Sequence, residues 1–356
     1  MEMFLNNNIS KRVAYSNFGK EIPQEQKKEN KTNAPLNNSP QEQDIFTTMP
    51  FRLLGYTNEV GEAIKGVVPS ARLGSWIVAS MYMGADIYDK YKKGDEESNY
   101  KPSIKKGVCE AIFQGLASCT LTIAAVEMGK EVVSHAGKSM SKSGLSLEAQ
   151  KELLGFVGKK VREGALDTPD GVKTTILAPI KSMMTETKDM KPPSLFNPMA
   201  RKNYQEICTI AGENMKHTAK MDPKKVEQFV NNTINETSHL QKGLQTGTLA
   251  GDAPVELNKI FGKTKQACAA TMNHYKHEPN AKTKAINETL QKHLDKQSFS
   301  RNIMMAAGGL AALLLCSKLI DKGVEKYIIE PLEHKWTQKE REKKTQQTNA
   351  NKASQN

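Results

Sequence analysis

The chain has 356 residues, of which 38% are hydrophobic, 6% aromatic and 25% charged. That length allows two or more domains, but so little apolar content cannot fill one core from end to end, so polar tails are expected. The net charge of +12 sits unevenly: residues 1–49 and 50–129 are each balanced, whereas residues 130–300 carry 26 basic and 18 acidic groups. A basic helical module suits anionic headgroups or nucleic acid, although only seven of the 51 basic residues are Arg. Five cysteines without a CxxC exclude a disulfide scaffold and a zinc ribbon.

Residues 1–49, rich in Asn, Gln, Lys and Pro, read as a disordered tail. Plentiful acidic groups make them a poor mitochondrial transit peptide, and they hold no apolar core of a secretory signal. From Phe51 the character changes. Asn58, Glu59 and Glu62, spaced by Gly55 and Gly61, open a helix. Pro69 precedes an apolar run, Leu73–Ala85, which closes on Asp86, Asp89, Lys90 and Lys93. Two further apolar runs are Ala111–Val126 and Ile303–Ile320.

All three runs fall short of the ~20 residues that a straight spanning helix needs. They fit short spans with snorkelling Lys and Arg, an interfacial position, or the core of a soluble bundle. Residues recurring every four positions pull toward the membrane: Ala71, Ser75 and Ala79; Ala111, Gly115 and Cys119; Met304, Gly308 and Ala312. Such ridges let helices approach closely where no hydrophobic effect joins them. Basic residues flank every run, so orientation is not readable.

Between residues 130 and 300 the pattern is that of soluble helices with start signals. Ser146 precedes Leu147, Leu154, Val157 and Val161 at helical spacing. Asn197-Pro198 and Asp222-Pro223 pair a capping residue with a first-turn proline. Val226, Phe229, Val230, Thr233 and Leu240 then share a face, and Leu257, Ile260, Phe261, Ala267, Cys268 and Tyr275 form another. A last helix with Ile286, Leu290 and Leu294 runs on into Ile303. This predicts an all-α module of four or five loosely packed helices with no useful strand.

Catalytic signatures are missing. Gly137-Lys138-Ser139 lacks the first P-loop glycine, because position 132 is Val132. His274 and His277 have HxxH spacing but no third ligand in sight. No nucleophile elbow, metal site or cofactor motif follows, so the expectation is a protein that is not an enzyme. The charged residues bracketing the first run invite a structural role instead. Asp86 could meet Lys105 or Lys106 at the opening of the second run, with Asp321 and Lys322 closing the same layer from the third.

The order of residues 52–90 resembles the mitochondrial fission process protein 1 family. The matching positions include Arg52, Gly55, Tyr56, Asn58, Glu59, Gly61, Glu62, Pro69, Asp86, Asp89 and Lys90. Two weaker pieces continue the likeness: Phe113, Gln114 and Leu116 to Ser118, and the close Ile320-Asp321-Lys322-Gly323-Val324-Glu325. The family has His-Pro just before that close, where this chain has Lys318 and Leu319. The resemblance implies an integral membrane protein of the mitochondrial inner membrane, with a role in membrane organisation or fission. In a bacterial chain the same core would lie in the cytoplasmic membrane.

The expected organisation is therefore all-α: a disordered tail 1–49, a family-like helical hairpin 50–129, an inserted basic module 130–300, a third apolar helix 301–335, and a disordered basic tail 336–356. Membrane lipid is the expected partner, with protein partners or self-association through the small-residue faces. The alternative is a soluble basic adaptor or nucleic-acid binder; sparse aromatics disfavour nucleic acid.

Overall fold

A computed structural model describes residues 54–94, 101–190, 197–249 and 251–353. The expected tail 1–49 and Arg52 lie outside them. The all-α class holds. The one strand pair among the described residues is a two-residue hairpin, β1 Thr209–Ile210 with β2 Glu213–Asn214.

Helix α1 covers Thr57–Ile64, and α2 covers Pro69–Lys93 with proline in its first turn. Gly94, at φ 59, ends α2 in a conformation costly for a side chain. Helix α3, Ile104–Phe113, starts where Ser103 accepts from the Lys106 amide. A π-helical turn, Gln114–Leu121, carries it into α4, Thr122–Met140. The basic module contributes α5 (Leu147–Arg162), α6 (Ala178–Thr187), α7 (Pro198–Ile207), α8 (Pro223–Thr246) and α9 (Val255–Tyr275). Helix α10 then runs unbroken over Ala281–Val324, and a π-helical turn, Glu325–Ile329, leads to α11, Glu330–Ala353.

Among the described residues two helices, not three, are long and apolar enough to cross a membrane: Ile104–Ser139 and Ala281–Asn351. The first apolar run lies on α2, where Arg72 and Asp86 bracket it too closely. The expected disordered tail 336–356 also differs, being helical as far as Ala353. Its Gln, Lys, Glu and Ala residues are good helix formers, and no Gly or Pro follows Pro331 to stop them.

The module packs as a soluble protein does. Leu153, Leu154, Phe156, Val157 and Val161 of α5 are buried against Val226, Val230 and Leu240 of α8 and Ile286, Leu290 and Leu294 of α10. The caps fall where the sequence puts them: Ser146 accepts from Ala149 N at 3.3 Å, Asn197 from Ala200 N at 3.0 Å and Asp222 from Lys224 N at 2.9 Å. On α9 the buried line is Leu257, Thr264, Cys268 and Thr271, with Ala267 outside it. Two threonines occupy core positions because their hydroxyls bond back to Ile260 O and Ala267 O, which satisfies them locally.

A charged clasp ties the α7–α8 connection to α5. The His217 ring meets Glu152 through Nδ1 at 2.8 Å and Glu148 through Nε2 at 3.0 Å. Glu152 also accepts from the Thr218 amide at 2.8 Å and hydroxyl at 2.9 Å. Burial alone would lower the His217 pKa, but the two carboxylates carry it up to about 9. A raised folded-state value stabilises the fold fully below the ordinary imidazole value of ~6.5, and this is lost as pH rises. The thermal midpoint of the wild type is therefore expected to fall between neutral pH and pH 9. In His217→Gln that slope should be absent.

Candidate functional site

Helix α1 carries polar residues that a surface helix would turn outward, and it buries them. Asn58, Glu59 and Glu62 are all nearly inaccessible, enclosed by α2, α4 and α10. Glu62 is the centre of this layer. Its Oε1 accepts from Arg72 Nε at 2.6 Å and Trp76 Nε1 at 3.1 Å, and its Oε2 from Lys65 Nζ at 2.8 Å. Lys130 of α4 donates to the Glu62 carbonyl and pairs with Glu127 at 2.9 Å. Glu127 also holds Lys65 at 2.9 Å. Three cations and two carboxylates thus knit α1, α2 and α4 together.

Next along α1, Glu59 Oε1 accepts from the Thr122 hydroxyl at 2.9 Å, and Asn58 Nδ2 donates to Ser118 O at 3.2 Å. The π-helical turn makes this fit. It lengthens the i→i−4 ladder around Ser118, whose carbonyl also receives the Thr122 hydroxyl at 2.9 Å.

Glycines set the distances between helices. A Cβ at Gly61 would lie 1.7 Å from Ser75 Oγ and 3.3 Å from Ala71 O, so the Ala71–Ser75 ridge receives α1. Gly129 and Gly308 face each other across α4 and α10. A Cβ on either would come within 3.0 Å of the other's carbonyl oxygen, at 2.6 Å for Gly129 and 2.9 Å for Gly308. Gly115, in the second predicted ridge, meets open space.

The other charged positions gather at a cavity of about 400 Å³. Gly55, Tyr56, Asp86, Lys90, Lys106, Gln114, Ser118, Asp321 and Glu333 line it. Tyr56 Oη donates to Asp321 Oδ2 at 2.6 Å, joining the start of α1 to α10. Gln114 Nε2 donates to Asp86 Oδ2 at 2.9 Å, and Lys106 Nζ to Glu333 at 2.8 Å. Asp86, Lys106 and Asp321, predicted to share a layer, thus border one cavity. Three predicted residues stand apart from both this cavity and the buried contacts of α1. Asp89 pairs with Lys93 at 2.9 Å along α2, Lys322 is exposed, and Pro69 starts α2.

The sequence reading gives Gln114 and Ser118 only as part of the family likeness, and assigns an inward role neither to them nor to Thr122 and Lys130. Gln114, Ser118 and Thr122 recur every four residues through the second apolar run, and Lys130 follows two turns further on, beyond it. That polar line was the available signal for an inward face.

Around this polar interior the outer surface is apolar. Leu73 (71% exposed), Ile77 and Met81 stand out from α2, Ile104 from α3, Met128 and Val132 from α4, and Leu314 (80% exposed), Leu315 and Leu319 from α10. The bundle is charged inside and oily outside, the reverse of the module. Truncation of Glu62 to Ala is expected to cost on the order of 1–3 kcal/mol, because Arg72 and Trp76 lose their acceptor and Lys65 one of its two carboxylates. Ser75→Thr on the facing ridge should also destabilise, whereas Asp170→Ala, on the module surface, should change stability by no more than ~0.5 kcal/mol. Thermal melts of the detergent-solubilised protein measure all three.

No protein-family model and no solved structure matches the chain. Curated relatives match in part. Mitochondrial fission process protein 1 of Danio rerio is 40% identical over 81 residues, which is 21% of this chain and 49% of that protein. The Homo sapiens protein of the same name is 38% identical over 86 residues, 22% of this chain and 52% of that protein. The Caenorhabditis elegans one is 50% identical over 48 residues, 13% and 29% respectively. The chain therefore spans about half the length, or less, of the relatives it matches, and a segment of it is related to them.

Proposed function

We propose that this chain is a non-enzymatic integral membrane protein that acts in the organisation or fission of mitochondrial membranes, seated in the inner membrane. The observation that carries the membrane part is the inverted polarity of the α1–α4 and α10 bundle. Burying Glu59, Glu62, Asp86 and Lys130 while exposing Leu73, Met81, Leu314 and Leu315 is unfavourable in water and favourable in hydrocarbon. A soluble adaptor would need those apolar side chains to face inward. The partial likeness to mitochondrial fission process protein 1 supports the mitochondrial and fission part.

In this reading the buried charges do no chemistry. They fix the angles among short helices, through ion pairs that a bilayer strengthens by excluding water. The basic module would be an arm on one side of the membrane, rigidly continued from α10.

Fractionation of cells expressing the full chain tests the reading. The protein is expected to stay in carbonate-washed membranes and to co-fractionate with mitochondria, and its loss should elongate the mitochondrial network. Release by carbonate contradicts the membrane reading. Retention with unchanged network shape contradicts the fission role.

A further inference from the structure

The module carries a second concavity, unrelated to the charged layer. It is an apolar groove of about 320 Å³ between α6 and α8. Ile180, Met184, Val226 and Val230 form its floor and are themselves buried, and Leu177 closes one end. Its rim is polar and exposed: Lys181, Thr185 and Lys188 on α6, and Glu227 on α8. Lys181 and Lys188 are two helical turns apart on one side of the groove, about 10 Å along the axis. They outnumber the single rim carboxylate.

Three observations say what fits. First, the size: a volume near 300 Å³ is that of a small-molecule site, and ten residues line it, against ≈20–30 residues a side for a stable protein interface. Second, the chemistry: an apolar floor with a cationic rim complements a hydrocarbon chain with an anionic head. Third, the position: α8 begins at the groove, and its Lys225 packs on Gly144, where a Cβ would meet the lysine Nζ at 3.0 Å. Gly144 belongs to the loop that leaves the membrane-crossing helix Ile104–Ser139. Arg301, just before the apolar run of α10, bonds Gln150 at the same end of α5, at 3.0 Å. The groove therefore lies at the membrane-proximal end of the module.

We propose that this groove holds one acyl chain of an anionic phospholipid drawn from the adjoining leaflet, with its headgroup between Lys181 and Lys188. The inference rests on the membrane reading above. It makes the module a lipid-gripping arm: Met184 supplies an adaptable wall for the chain, and the lysines select charge. Met184 and Ile180, which keep a little exposure at the floor, are then the residues closest to the chain.

The test uses the full chain in nanodiscs containing a phospholipid with a photoreactive acyl chain, and cross-linked peptides are mapped by mass spectrometry. With an anionic headgroup, adducts are expected at Met184 or Ile180 as well as on the outward face of α10 around Leu314 and Leu315. Lys181→Glu with Lys188→Glu, both at exposed positions, should lower groove adducts about tenfold and leave the α10 adducts unchanged. Thr185→Trp, at the exposed rim, should obstruct the groove and lower its adducts. Adducts on α10 without any in the groove overturn this proposal and leave the membrane reading standing. Adducts at neither place overturn both. Equal groove labelling by a zwitterionic photolipid, or preferential labelling by a free photoreactive fatty acid, overturns the assignment to an anionic phospholipid.

Discussion

Everything in the bundle follows from where the Glu62 carboxylate sits. A carboxylate with almost no access to water must be met by positive charge and hydrogen-bond donors. Arg72, Trp76 and Lys65 supply them directly, and Lys130 reaches the same turn of backbone. These groups come from α1, α2 and α4, so one residue, through its carboxylate and its carbonyl, fixes three helices at once. With α4 so placed, Gly129 can meet Gly308, and α10 closes the bundle at backbone contact. The apolar side chains of α2, α4 and α10 then have only the outside left to them.

The chain thereby obeys two opposite solvent rules on one continuous helix. Along α10, Ile286, Leu290 and Leu294 are core residues of the basic module, whereas Leu314 and Leu315 on the same helix are bare. The change falls near Arg301, whose guanidinium is held by Gln150. The helix runs unbroken and without proline through that boundary, so the two halves share one element.

The module was readable because local signals and global packing agree there. Ser146, Asn197 and Asp222 start helices as their chemistry dictates, and the period of 3.6 marks the buried faces. The join of Leu294 to Ile303 was readable for the same reason. The span count was not. Leu73–Ala85 looks like its two counterparts by length, but charges at both ends of α2 remove it from the same class. The C-terminal residues were misjudged because polarity was taken for disorder, although their helix propensity is high. Asn58, Glu59 and Glu62 were legible as a conspicuous motif, and Asp86 and Asp321 as its companions. Their partners Gln114 and Thr122 carry the fainter signal of a polar line at four-residue spacing, whereas Lys130, beyond Val126, is placed only by the three-dimensional crossing. The cavity between α1, α3 and α10 and the groove between α6 and α8 have no linear signature at all.

The central claim is that the bundle's outer face contacts lipid. Spin labels placed singly at Met81 and Leu315, in a chain whose native cysteines are replaced, read that contact directly in reconstituted bilayers. The account predicts greater relaxation by lipid-soluble oxygen than by a water-soluble nickel complex at both positions, with the reverse at exposed Asp170 of the module. Greater access for the nickel complex at Met81 and Leu315 would contradict it.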